Sequence, residues 1–343
     1  MMNSHRFVNF LSIMLVSVYV FAILGEFKLF HLWSQVEYIH NNGGLGLLDI
    51  FSHAHWLRYH LVLPVYSLSE ILGVDSSIVF SFMCLGFIVF MSFVLTRLIA
   101  LDMKVEPLQP FLLLGFLSFF ILISMFMNGR LIFGFLSVSF LLVFLKFIGG
   151  VYNLYYGTLL MLFTGLLAGV SSGVFLSVIS AMCLCVCIFL IIDLLNGRLK
   201  RHYLIYFSYL LVGLVFLPIA LVMIGKNILF YNDGVVAMTA HGVINSELAS
   251  PKNIVNGLPL LKAVWLIGGL VGVLYTIRLS FPRIKNKSYF SSYVSISAFV
   301  LLLLSVFAYS IVAISIVLVV FMLFSLGISY LKNSKFYSGF EIL

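Results

Sequence analysis

Apolar residues in this chain come in long runs divided by short polar joints. A helix needs about 20 apolar residues to cross the hydrocarbon core of a bilayer, and the runs approach that length. The first, Phe7 to Gly25, follows a short start containing Arg6. It leads into Glu26 and Phe27 rather than a small-residue cleavage site, so it reads as a retained anchor. Further spans are predicted over about 78–98, 110–128, 131–148, 155–172, 174–194, 204–224 and 262–277. Ser291 to Tyr330 carries no charge and is too long for one crossing, which predicts a hairpin turning near Tyr309 and Ser310. Leu61 to Gly73 is apolar but short and broken by Pro64, so an interfacial or re-entrant helix is expected there. The whole chain, 1–343, is thus predicted as a single all-α, polytopic membrane domain of about ten transmembrane helices.

Composition closes off the other classes. The chain is 63% hydrophobic and 9% charged, where soluble domains average about 45–50% and about 25%. Its mean hydropathy is +1.20. Soluble, fibrous, disordered and disulfide-scaffold classes all fail on these values. Cys183, Cys185 and Cys187 lie in an apolar run with no acid or His nearby, so they read as structural.

Charge then orients the chain. There are 19 Lys and Arg against 11 Asp and Glu, a formal charge of +8. With the N-terminus in the cytoplasm, the Arg97–Lys104 connection and Lys146 fall on its side. So do Arg198 with Lys200 and Arg201, Arg278 with Arg283, Lys285 and Lys287, and Lys332 with Lys335. That is the positive-inside bias, and it places both termini in the cytoplasm. No basic, aromatic-interleaved soluble surface remains to bind nucleic acid. The opposite face receives two long loops, about 26–77 and 225–261, and two tight joints, Asn128-Gly129-Arg130 and Ser171-Ser172-Gly173. Long loops are where function concentrates.

Span centres carry no Asp, Glu, Lys, Arg or His, which weighs against an ion-coupled transporter. No G-x-x-x-x-G-K-[ST] phosphate loop is present, so ATP-driven chemistry is not encoded. The outer face is richer. The run HAHWLRYH supplies Trp56, Arg58, Tyr59 and His60, which read as an interfacial aromatic belt and as a groove holding a sugar and its phosphate. His53, His55 and His60 have no carboxylate at helical spacing, and no metal is expected. Arg130 stands at the outer surface against the positive-inside trend, beside Asn128. A guanidinium binds phosphate through paired donors, and a helix opening at Arg130 would add its N-terminal amides; a snorkelling contact with ordinary lipid phosphate is the alternative. In the late loop, Asp233, His241 and Glu247 are candidate general bases among Asn232, Asn245, Asn253 and Asn256, amides suited to hydroxyl-rich ligands.

The stretches HWLRYHLVLPVYSLSEILGV, NGRLIFGFLSVSFLLVFLKF and LLAGVSSGVFLSVIS, over about His53 to Asp193, resemble bacterial oligosaccharide repeat-unit polymerases of the Wzy-type and EpsG-like families. The likeness lies in layout: a first outer loop, a gap, then an Arg opening a span. It implies an inner-membrane enzyme that joins undecaprenyl-diphosphate-linked oligosaccharides on the periplasmic side without a cofactor. It also implies a flippase and a chain-length regulator as partners. Arg130 matches the span-opening Arg and Arg58 matches more loosely. The chain departs from the pattern at Ser171, Ser172 and Gly173, where EpsG-like proteins often carry His, and in Ser291–Tyr330, which lacks an Arg. On this reading Arg130 and Arg58 hold diphosphate while His241, Asp233 or Glu247 deprotonates the acceptor. Alternatives are a multispan glycosyltransferase using a polyprenyl-phosphate sugar, a non-enzymatic flippase or transporter, and an O-acyltransferase.

Overall fold

A computed structural model of the chain describes residues 4–25, 34–53, 55–124, 129–148, 154–195, 197, 199–230, 294, 297 and 309–333. All regular structure among these residues is helical, and no strand is present among them. The helices are α1 (Ser4–Leu24), α2 (Ser34–Asn41), α3 (Trp56–Leu72), α4 (Ser76–Met103) and α5 (Gln109–Ser124). They continue as α6 (Arg130–Ile148), α7 (Leu154–Ala168), α8 (Ser172–Leu195), α9 (Leu199–Phe230) and α10 (Tyr309–Asn333). Short 3-10 turns cover Leu47–Phe51 and Glu106–Leu108.

Among the described residues, five helical segments are long and apolar enough to cross a membrane: His5–Leu24, Ser76–Met103, Glu106–Ser124, Gly173–Leu195 and Tyr206–Met223. Shorter apolar helices run over Leu131–Phe147, Tyr155–Ala168 and Ile316–Ile328. Each coincides with an expected span, and their length and apolar composition mark a membrane protein that is all-helical among the described residues. The boundaries shift for local reasons. Helix α7 stops at Ala168, four residues before its expected end, because Gly169, Val170 and Ser171 form the turn into α8. Helix α9 continues to Phe230, six residues into the expected late loop. Helix α10 opens at Tyr309, where the hairpin turn was expected. The expected span 262–277 lies outside the described residues.

The chain divides into two compact units. One comprises Met1–Trp33, Leu63–Ile132 and Val320–Leu343. In it α1, α4 and α5 pack on one another. Asp75 caps α4, its carboxylate accepting from the Ser77 amide at 2.7 Å, which satisfies one of the donors every helix start leaves open. The α4 end closes on Lys104 in the left-handed region (φ 53°), after which Glu106 and Pro107 turn the chain into α5. Phe116 packs its ring 4.6 Å from that of Phe324 and 6.4 Å from that of Phe120.

The other unit comprises Ser34–Val62 and Phe133–Val319. Here α7, α8 and α9 pack pairwise. Ser137 on α6 donates to the Thr164 carbonyl of α7 at 2.8 Å, and Phe175 meets Phe216 edge-on at 5.6 Å. Helices α8 and α9 are also joined by a polar contact. The Tyr206 hydroxyl donates to Asp193 Oδ2 at 2.7 Å, with both side chains buried. Of the C-x-C-x-C cysteines, Cys185 is buried with its Sγ 3.3 Å from Ser297 Oγ, Cys183 is half-buried and Cys187 is exposed. Cys185 is turned away from the other two, as a residue two positions off on a helix is, while Cys183 and Cys187, four apart, share a face.

Candidate functional site

The segment expected as the first outer loop, about 26–77, is helical over Ser34–Asn41, Leu47–Phe51 and Trp56–Leu72. Helix α2 ends in a glycine turn with Gly43 at φ 95° and Gly44 at φ 74°, and the Gly44 amide donates to the Ile39 carbonyl at 2.9 Å. Glycine at 44 is required twice over. The positive φ excludes most side chains, and a Cβ there would stand 2.5 Å from the Tyr59 hydroxyl. The 3-10 turn Leu47–Phe51 follows, held by the Asp49 carboxylate, which accepts from the Gly46 amide at 2.7 Å.

Helix α3 then starts at Trp56, five residues before the apolar run that predicted it. The polar run is therefore its first turn. The Trp56 amide donates to the His53 carbonyl at 3.0 Å and the Tyr59 amide to the His55 carbonyl at 2.9 Å. Pro64 lies inside the helix without ending it. It leaves the His60 carbonyl, four residues back, without the usual amide partner.

This first turn gathers rings. Trp56 and His60, one turn apart, stand 4.4 Å between centroids, Tyr59 and His60 5.3 Å, and His40 of α2 and Tyr59 6.3 Å. The Trp56 indole N–H donates to the Gly46 carbonyl at 2.8 Å. His60 Nε2 is shielded from solvent and has no hydrogen-bond partner. A pocket opens beside the rings, lined by Ile50, His53, Trp56 and Leu57 on one side and Ile219, Val222 and Met223 of α9 on the other.

Arg58 is 8% exposed, and its Nε–H donates to the Val170 carbonyl at 2.7 Å, across 112 positions of sequence. This bond ties the start of α3 to the turn between α7 and α8. Leu57 covers Gly169 of that turn so closely that a Cβ at 169 would overlap its side chain. Since α8 begins at Ser172, the buried guanidinium is anchored two residues before a helix N-terminus, where amides and the helix dipole favour anions.

Of the residues singled out in the sequence, Trp56, Arg58, Tyr59 and His60 thus share one helical turn. Arg130 is the first residue of α6, and the Ile132 amide donates to the Gly129 carbonyl at 3.1 Å. Asn128, Asp233, His241 and Glu247 lie outside the described residues. Among those described, no group of three or more His, Cys, Asp or Glu converges to hold a metal ion. Sequence reasoning missed Gly169 and Val170, which act through backbone and closeness and leave no side-chain signature. It also missed Asp193, a buried acid near the end of a span. No family model matches the chain, nor does any curated protein or solved structure.

Proposed function

We propose that this protein is a polymerase that joins undecaprenyl-diphosphate-linked oligosaccharide repeat units on the periplasmic face of a bacterial inner membrane. In this reading about ten spans carry both termini on the cytoplasmic side. The observation that carries it is the first turn of α3: a buried Arg58 guanidinium anchored beside the start of α8, next to the Trp56, Tyr59 and His60 rings. A permanent cation near helix amides suits a diphosphate, and adjacent aromatic faces suit a glycan. This reading also assigns diphosphate binding to Arg130, the first residue of α6.

The chemistry asks little of the protein. An acceptor hydroxyl attacks the anomeric carbon of the donor glycan, the bond from that carbon to the diphosphate oxygen breaks, and undecaprenyl diphosphate leaves. The hydroxyl proton passes to His241, Asp233 or Glu247. Diphosphate leaves readily once its charge is held, so positioned cations and one base suffice. The test is purified protein in vesicles supplied with a lipid-linked repeat unit. Unmodified protein should give a ladder of chain lengths, and Arg130→Ala should cut polymer about a hundredfold, as loss of one charge-stabilising group typically does. A normal ladder from Arg130→Ala would sink the proposal.

A further inference from the structure

The connecting segment from Ser34 to His53 contains no Lys or Arg and is polar on both sides of its 3-10 turn, with Asn41 and Asn42 before it and Asp49 and Ser52 within and after it. In this setting Leu47 and Leu48 are 78% and 84% exposed. Two adjacent leucines held out of a polar segment call for an apolar environment.

The turn that carries them is fixed. Gly46 is held on both sides of its peptide: its N–H donates to Asp49 Oδ2 at 2.7 Å, and its carbonyl accepts from the Trp56 indole at 2.8 Å. The Asp49 carbonyl in turn accepts from the Ser52 and His53 amides at 3.1 and 2.8 Å. Ile50, on the same turn, lines the pocket with Ile219, Val222 and Met223 of α9. That last contact sets the depth. Met223 lies three residues before Lys226, the first Lys, Arg, Asp or Glu after Arg201. The turn therefore stands level with the end of the uncharged run of α9, where that helix is expected to leave the hydrocarbon core. Trp56, in the same pocket, is the residue type that collects at that boundary.

We propose that the turn Leu47–Phe51 is a lipid wedge, with Leu47 and Leu48 inserted among the acyl chains at the bilayer interface beside Met223 of α9. With no Lys or Arg in the segment, headgroup charge does not hold it there; apolar insertion does. The wedge sits one hydrogen bond from Trp56 and so lies at the rim of the ring cluster, where a lipid-anchored molecule would arrive from the bilayer. Its own occupant is bulk lipid, independent of the reaction proposed above.

The experiment uses the full chain with Leu48→Cys or Asn42→Cys, each reconstituted in phosphatidylethanolamine and phosphatidylglycerol vesicles and labelled with a nitrobenzoxadiazole thiol probe. Signal from the native cysteines is subtracted with the labelled parent protein. Asn42 is exposed in the same segment and serves as the aqueous reference. The expected result is that a nitroxide placed high on the lipid acyl chain quenches the probe at 48 at least twofold more than at 42, while aqueous iodide quenches 42 and spares 48. Equal iodide quenching at the two positions overturns the proposal by placing the leucines in water. Protection of position 48 from both quenchers also overturns it, because the leucines would then be covered by protein, such as a second copy of the chain.

Discussion

The Arg58 guanidinium is planar, permanently charged and offers five donors, one of which is given to the Val170 carbonyl. Its burial means that this bond serves packing as well as charge. Arg58→Ala would leave a buried carbonyl without its donor, at a cost of about 1–3 kcal/mol. Arg58→Lys keeps the charge but has no Nε–H at that position, so it should lower the unfolding temperature in detergent nearly as far. If the lysine variant unfolds with the unmodified protein, the bond to Val170 is not what matters. The two partners differ in how they read from sequence. Arg58 is conspicuous as a cation among aromatic residues. Val170 participates only through its backbone, and nothing in an apolar Ala-Gly-Val-Ser stretch marks its carbonyl as a distant anchor. The ring cluster is legible in part for the same reason: Trp56 and His60 are four positions apart, but only the α3 start at Trp56 makes that spacing a contact.

At the scale of elements, the long apolar runs fixed α1, α4, α5, α6 and α8 to within a few residues, because hydrocarbon tolerates no unsatisfied backbone and the helix must continue for as long as the run does. Joints were harder. Pro64 interrupts the apolar run Leu61–Gly73, where a short interfacial or re-entrant helix is expected, and α3 passes through it from Trp56 to Leu72. Proline removes one amide and clashes with one carbonyl, and a helix anchored by other contacts tolerates both losses. The α8–α9 pair shows what a hydropathy pattern hides. Asp193 lies near the end of an apolar run, and Tyr206 meets it in a buried bond at 2.7 Å. Tyr206→Phe should therefore destabilise the hairpin by about 1–3 kcal/mol, since it leaves a buried carboxylate short of a donor. Asp193→Asn combined with Tyr206→Phe should cost less than the two single changes summed. Strict additivity in thermal unfolding would show that the two side chains do not support one another.

For the molecule as a whole, composition decides the solvent and charge orients the expected spans. The excess of 19 cationic over 11 anionic residues looks at first like a binding surface. Most of it gathers in the joints assigned to the cytoplasm, and among the cations outside those joints Arg58 and Arg130 are the two the resemblance picks out. Both stand in the opening turn of a helix, and that shared placement underlies the proposed role in holding a lipid-linked diphosphate. Three activities compatible with such a site differ in what happens to covalent bonds. A polymerase lengthens the glycan by whole repeat units, a monophosphate-dependent glycosyltransferase adds single sugars, and a flippase leaves the glycan unchanged. The most direct measurement is the mass of the lipid-linked glycan recovered from vesicles holding the purified protein and one defined diphosphate-linked repeat unit. The account predicts products heavier by integral numbers of that unit, with free undecaprenyl diphosphate released in step. A glycan that keeps its starting mass, on whichever side of the bilayer it is found, would contradict it.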